Sequence, residues 1–146
     1  MKTPFSDSPY PIYEGKHWDI ILHRDNQAHL GRSIVFLKNR YIEDPIDLTR
    51  EEQEELWFDI LPKFRKAINT AFKPDALNYG YHGLSIKHLH MHVIPRYNKN
   101  PVREFAGETF TDQLPDKNYN KSQKKAYDVS VMKAIAEKLR QEIANL

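Results

Sequence analysis

The sequence predicts an α+β domain built on an antiparallel sheet, on three observations. Two β-branched and aromatic runs lie close together near the start, a segment from Thr49 repeats apolar residues at helical spacing, and the stretch 85-SIKHLHMHVIPRY-97 alternates in polarity as a strand does. Strands first, a helix, then strands again is the order of an α+β fold.

The residues through Gly15 are rich in Pro and Tyr without a sustained period and read as an irregular N-terminal arm (about 1–15). His17 to His23 is a short apolar run that reads as a strand ending in the polar turn Arg24-Asp25-Asn26-Gln27. Gly31 releases a second strand, Ser33 to Leu37, close enough to be an antiparallel neighbour of the first. Thr49-Arg50-Glu51-Glu52 has the capping-box pattern, so a helix starts there. Leu56, Ile60, Phe64, Ala67 or Ile68, and Ala71 give it one apolar face, and Pro62, which lacks a backbone donor, should kink or divide it. Ala76 to Tyr81 and Leu89 to Pro95 supply two more strands across His82-Gly83-Leu84-Ser85. The segment after Pro101 has no clear period. Val129, Met132, Ala136, Leu139 and Ile143 then mark a C-terminal helix within an extension of about 122–146.

At 146 residues, 40% hydrophobic and 29% charged, the chain has the size and composition of a single domain spanning 1–146. A formal charge of +2 gives no reason to expect nucleic-acid binding, yet leaves room for a locally basic site that attracts a small anion. The absence of cysteine excludes disulfides, thiolate metal sites and a cysteine nucleophile. The first residues lack the apolar core of a signal peptide and no segment has the uncharged length of a membrane span, so the expectation is a cytoplasmic protein without membrane contact.

Three histidines at every second position, His88, His90 and His92, fall on one face of a strand, with Leu89, Met91 and Val93 on the other. One reading makes them polar residues on a solvent face, but histidine has neither high β-propensity nor a common structural role there. A second makes an i, i+2 pair a metal chelate. The outer pair lies about 13 Å apart between Cα atoms at strand rise, too far to share one ion without strong inward leaning. A third makes the middle imidazole a nucleophile toward phosphorus, with one outer histidine fixing its tautomer and the other contacting phosphate oxygens.

His88-Leu89-His90-Met91-His92-Val93-Ile94, followed by Pro95-Arg96-Tyr97, resembles the signature of the histidine triad (HIT) superfamily of nucleotide hydrolases and transferases. The likeness extends to Leu30-Gly31-Arg32, Leu77-Asn78-Tyr79, Gly83, Ser85, Phe105-Ala106-Gly107 and Asn118-Tyr119. The resemblance implies a HIT-like sheet of about five antiparallel strands with helices, paired as a homodimer, that cleaves nucleotides at the α-phosphate. His90 would attack the phosphorus and form a nucleotidyl-histidine, with His88 and His92 as its flanking members. Ser85 would contact the phosphate and Asn78 the scissile group. Ile21, Arg24 and Asp25 would hold the nucleoside, and no cofactor or metal is implied.

Substrates of this kind are dinucleoside polyphosphates, nucleoside phosphoramidates or other AMP-linked compounds. The alternatives are a nucleotidyltransferase of the same superfamily and a nucleotide-binding module without turnover. Two positions depart from the pattern: Arg32 stands where many members carry a fourth histidine, and Leu84 where an amide is common.

Other residues have plainer readings. Arg96, at a strand end, is solvated or ion-paired, and Trp18 and Trp57 are core aromatics. His17, His23, His29 and His82 are surface or ordinary hydrogen-bonding histidines, His82 being nearest the triad. Lys117, Lys121, Lys124 and Lys125 either funnel an anion or form a solvated lead into the last helix.

Overall fold

In the computed structural model, which describes residues 2–118 and 124–146, five strands form one antiparallel sheet. They are β1 (Pro11–Glu14), β2 (Trp18–Leu22), β3 (Ser33–Leu37), β4 (Ala76–Gly80) and β5 (His90–Arg96), in the spatial order β1-β2-β3-β5-β4. The α+β class with a five-stranded antiparallel sheet and a C-terminal helix is therefore as the sequence predicts. The arm is shorter than expected, because Pro11–Glu14 pairs with β2 across a register shift between Pro11 and Tyr13.

Alternation along each strand divides the sheet into two faces. Trp18, Ile20, Leu22, Val35, Leu37, Met91 and Val93 enter the main core, whereas Ile21, Ile34 and Phe36 form a second apolar cluster with Phe5. His92 pairs with Ile34 and His90 with Phe36, so the two imidazoles share a face with that smaller cluster. This cross-strand register fixes the later site.

Helices cover the core face. Thr49 caps α1 (Arg50–Glu55) through a complete capping box with Glu52. The indole N–H of fully buried Trp18 donates to the Glu52 carbonyl at 2.9 Å, docking the helix on β2. The helical segment is divided just before Pro62. A single π-turn, Leu56–Ile60, precedes α2 (Leu61–Ala71), with Leu61 N–H donating to the Leu56 carbonyl, and Pro62 sits in the first turn of α2 where its missing donor costs least.

Leu56 and Ile60 stay buried in the π-turn, while Trp57 and Phe58 point outward; Trp57 is 48% exposed and is not the core aromatic the sequence suggested. It falls one residue off the apolar stripe. The last helix, α3 (Val129–Ala144), buries Val131, Met132, Ile135, Ala136 and Leu139 and packs against α2 and β1, with Val129 exposed. Among the described residues no helix is long and apolar enough to cross a membrane.

The segment after Pro101 contains a hairpin absent from the sequence reading, β6 (Val102–Phe105) and β7 (Glu108–Thr111). Its turn, Ala106-Gly107, has positive φ at both residues, 51° and 78°, as a tight two-residue hairpin turn requires. Asp112, at the end of β7, is fully buried against Arg96, which fastens the hairpin to β5.

Candidate active site

The cleft forms where the second apolar cluster meets the end of the β2–β3 hairpin. Loop 23–32 is closed by buried Gln27, whose side-chain amide donates to the carbonyls of His23 (2.9 Å) and Arg32 (2.7 Å) while its oxygen accepts from Gly31 N–H. The His23 N–H also donates to the Arg32 carbonyl. His23 and Arg32 are thus held side by side. Gly31 has φ +91°, and a Cβ there would meet Ile68 Cδ1 at 2.4 Å, so the turn before Arg32 requires glycine.

The resulting cleft of about 510 Å³ is bounded by the N-terminal residues around Phe5, the β2–β3 loop and residues 82–86. His23, His82, His90 and His92 line it, with Arg32 and Lys124. The His92 ring centroid lies 5.1 Å from His90, 5.3 Å from His82 and 5.8 Å from His23. Phe5 covers His90 at 4.8 Å and also packs on Phe36. A second, more open groove of about 590 Å³ is lined mostly by carboxylates, among them Glu51, Glu54, Glu55 and Asp59, with Lys16 and His17 beside them, and its net negative charge disfavours an anion.

Hydrogen bonds set the imidazole tautomers. His90 Nδ1 lies 2.7 Å from the His88 carbonyl, which can only accept, so Nδ1 carries the proton and Nε2 keeps its lone pair. His92 Nδ1 lies 3.2 Å from Arg32 Nη2, which can only donate, so His92 carries its proton on Nε2. Burial lowers the affinity of His90 for a second proton, outweighing the His88 carbonyl that favours it. Burial, reinforced by the Arg32 charge, pushes both His92 and His23 down to about 3. His23, His90 and His92 are therefore neutral imidazoles at physiological pH, and His90 has a lone pair available for attack.

Of the residues singled out from the sequence, His90, His92, Ser85, Ile21, Arg24 and Asp25 line this cleft. His88 does not. Its side chain donates from Nε2 to the Leu37 carbonyl at 2.5 Å and stacks on Tyr41, so His88 orients His90 through its backbone oxygen and not, as the sequence suggested, through its ring. Asn78 is also outside the lining: it pairs with Ile94, one step beyond His92 on the same face, and its Oδ1 accepts from Arg96 at 3.0 Å. Arg96 is buried and ion-paired with Asp112.

Sequence reasoning missed His23, which looked like an ordinary strand-end histidine, together with the covering role of Phe5. His29, read as a surface or ordinary hydrogen-bonding histidine, is buried with Nδ1 3.4 Å from Asp112. The paired ends of a hairpin were the available signal for His23 and Arg32. Of the lysine group, Lys124 reaches the cleft, while Lys121, like Tyr119, lies outside the described residues. Among the described residues no group of three or more His, Asp or Glu is arranged to hold a metal ion.

The HIT domain family matches residues 11–99, more than half of the chain. The chain belongs to the HIT domain family. It is 34% identical over 94 residues to Protein hit of Bacillus subtilis (strain 168), an alignment that covers 60% of this chain and 62% of that protein's length. Its fold is similar to a histidine triad protein from Marinobacter aquaeolei VT8, with a TM-score of 0.71, 20% identity and coverage of 93% and 89% of the two chains. It is also similar to a hypothetical histidine triad nucleotide-binding protein from Sulfolobus tokodaii, with a TM-score of 0.68, 24% identity and coverage of 94% and 85%. All four cleft imidazoles of this HIT chain lie within the matched region, whereas Phe5 and Lys124 come from outside it.

Proposed function

We propose that this HIT protein hydrolyses AMP-linked nucleotides at the α-phosphate through a nucleotidyl-His90 intermediate. The observation that carries the reading is the 2.7 Å contact between His90 Nδ1 and the His88 carbonyl, which leaves Nε2 as a nucleophile at the cleft. Attack on phosphorus by Nε2 builds positive charge on the ring, and the His88 carbonyl stabilises it through the retained Nδ1 proton. His92, as an Nε2–H donor, supports a non-bridging phosphate oxygen, and Ser85 and Lys124 add polar and cationic contacts at the rim. Phe5, Ile21 and Ile34 form an apolar wall suited to a base, with Arg24 and Asp25 beside it for the ribose.

Water resolves the intermediate in this reading; a nucleotidyltransferase would pass the group to phosphate or a sugar phosphate instead. Incubating the protein with AMP conjugates, with and without phosphate, tests both. AMP release and a quench-trapped nucleotidyl-protein are expected, and phosphate-dependent formation of a nucleoside diphosphate would favour transfer. Nucleotide binding without any turnover would leave only a binding module.

We further propose a homodimer. β4 is a sheet edge whose residues are largely exposed, including Tyr79 at 41%, and an unpaired edge is stabilised when a second copy covers it. Light scattering that gives a monomer mass at micromolar concentration would overturn this assignment.

A further inference from the structure

Arg32 is 6% exposed, lines the cleft and has its backbone carbonyl pinned by both His23 and Gln27. Its guanidinium Nη2 lies 3.2 Å from His92 Nδ1. Guanidinium donates only and stays charged, so the bond persists only while Nδ1 is bare. A second proton on His92 would abolish that bond and set two cations side by side in a half-buried site. His92 is then excluded as the acid that protonates a departing atom.

Of the other imidazoles in the cleft, burial and the Arg32 charge keep His23 neutral, and His82 lies 5.3 Å from the His92 ring, while Ser85 offers a hydroxyl at the rim. The remaining proton of His90 is committed to the His88 carbonyl, and Leu84, on the cleft rim, has no polar hydrogen. The cleft carboxylates Asp7 and Asp25 lie against Lys2 and Arg24, while Arg32 and Lys124 add positive charge. Such an arrangement stabilises an anion that leaves with its electron pair, and gives little help to an amine or alcohol that must gain a proton.

We propose that Arg32 is a positioning and specificity-determining residue that locks His92 as a neutral Nε2–H donor and restricts the cleft to leaving groups departing as phosphate-type anions. The inference rests on the nucleotidyl-His90 reading and names its leaving-group class. In the first step the His90 Nε2 lone pair forms the N–P bond and the P–O bond to the bridging oxygen breaks, its electron pair going to the leaving phosphate. In the second, water forms a P–O bond, the N–P pair returns to Nε2 and the water proton passes to solvent. No other reactant is needed.

The test compares diadenosine triphosphate, AMP phosphoramidate and the AMP p-nitrophenyl ester under single turnover, with wild type, Arg32→Met and Arg32→Lys. Wild type should cleave the anhydride roughly 100-fold faster than the phosphoramidate, and Arg32→Met should lose at least about tenfold more on the anhydride than on the aryl ester. Arg32→Lys, which keeps the charge without the fork, should fall between, and supplies the comparison if Arg32→Met does not fold. Nitrogen NMR should find His92 protonated at Nε2 alone in wild type and as a tautomer mixture in Arg32→Met.

Parallel losses on all three substrates, a phosphoramidate rate equal to the anhydride rate, or an unmoved His92 tautomer would overturn the role of Arg32 while a trapped nucleotidyl-protein kept the His90 reading intact. Failure of every substrate to label the wild type would overturn both.

Discussion

The imidazole of His90 is oriented by the backbone carbonyl of His88, 2.7 Å from Nδ1, while the His88 ring itself is turned away to the Leu37 carbonyl. The first triad member therefore acts on the ring of the second through its main chain, from the position just before β5 begins. Replacing the His90 ring should remove the nucleophile but spare the cleft walls. For His90→Gly we expect turnover to fall by about a thousandfold or more, AMP binding to stay within roughly tenfold, and added imidazole to restore part of the activity. Near-normal turnover in the purified variant would eliminate His90 as the nucleophile.

The same ring sets the acid limit of activity. His90 must be neutral to attack, and burial beneath Phe5 holds its proton affinity below the ordinary histidine value of 6.5. The acidic limb of kcat/KM should accordingly lie below pH 6.5. Phe5→Ala admits water over the ring and should move that limb upward toward the ordinary value. A wild-type limb at or above it would show that the burial of His90 does not govern the rate.

Glu52 links stability to acid. It caps α1 and accepts two bonds from Arg40, at 2.9 Å and 2.7 Å, and the Arg40 contact holds its carboxyl down to about 2. Because the folded value lies below the unfolded one, the stabilisation is fully present above the ordinary carboxylate range and is lost as pH falls from about 4.5 through about 2. Glu52→Gln should cost on the order of 2–3 kcal/mol at neutral pH and nearly nothing below pH 2. Urea melts of both proteins across that window measure the convergence; a constant gap would assign the cost to packing alone.

A buried ion pair carries the join between the hairpin and the sheet. Asp112 accepts from Arg96 Nε (2.8 Å), Arg96 Nη2 (3.2 Å) and Tyr97 N–H (3.2 Å), and both charged side chains are nearly inaccessible. Asp112→Asn leaves the Arg96 charge buried without its counter-charge and should destabilise by about 3 kcal/mol. Arg96→Met in the same background should recover part of that loss. Strict additivity of the two substitutions in denaturant melts would mean the pair is not coupled.

Much of this was legible in the sequence, for physical reasons that differ by element. β2, β3 and β5 are β-branched runs whose alternation matches a two-faced sheet, and Thr49 with Glu52 announces α1 through its cap. β1 hides behind Pro11 and a register shift, and β6 and β7 are four-residue strands with too little apolar content to show a period. Trp57 looked like core because of its size, yet its position off the stripe of Leu56 and Ile60 decides its exposure. The triad could be read as a row, whereas the turning away of the His88 ring, the engagement of Asn78 by Arg96 and the arrival of His23 depend on contacts between segments far apart in the chain.

Leu84 offers a gain-of-function test. It stands on the cleft rim and is 87% exposed, so exchanging it for glutamine leaves packing almost untouched, and such surface substitutions alter stability by no more than about 0.5 kcal/mol. A glutamine amide there would supply the neutral donor that leucine lacks, and a donor aimed at developing negative charge contributes on the order of 1–3 kcal/mol. Poor leaving groups have most to gain, because more charge accumulates on their departing atom before the bond breaks. Across a series of AMP aryl esters, Leu84→Gln should therefore speed the least acidic leaving groups by roughly tenfold and the most acidic hardly at all, flattening the dependence of rate on leaving-group acidity. Parallel lines for the two proteins would place residue 84 away from the departing atom.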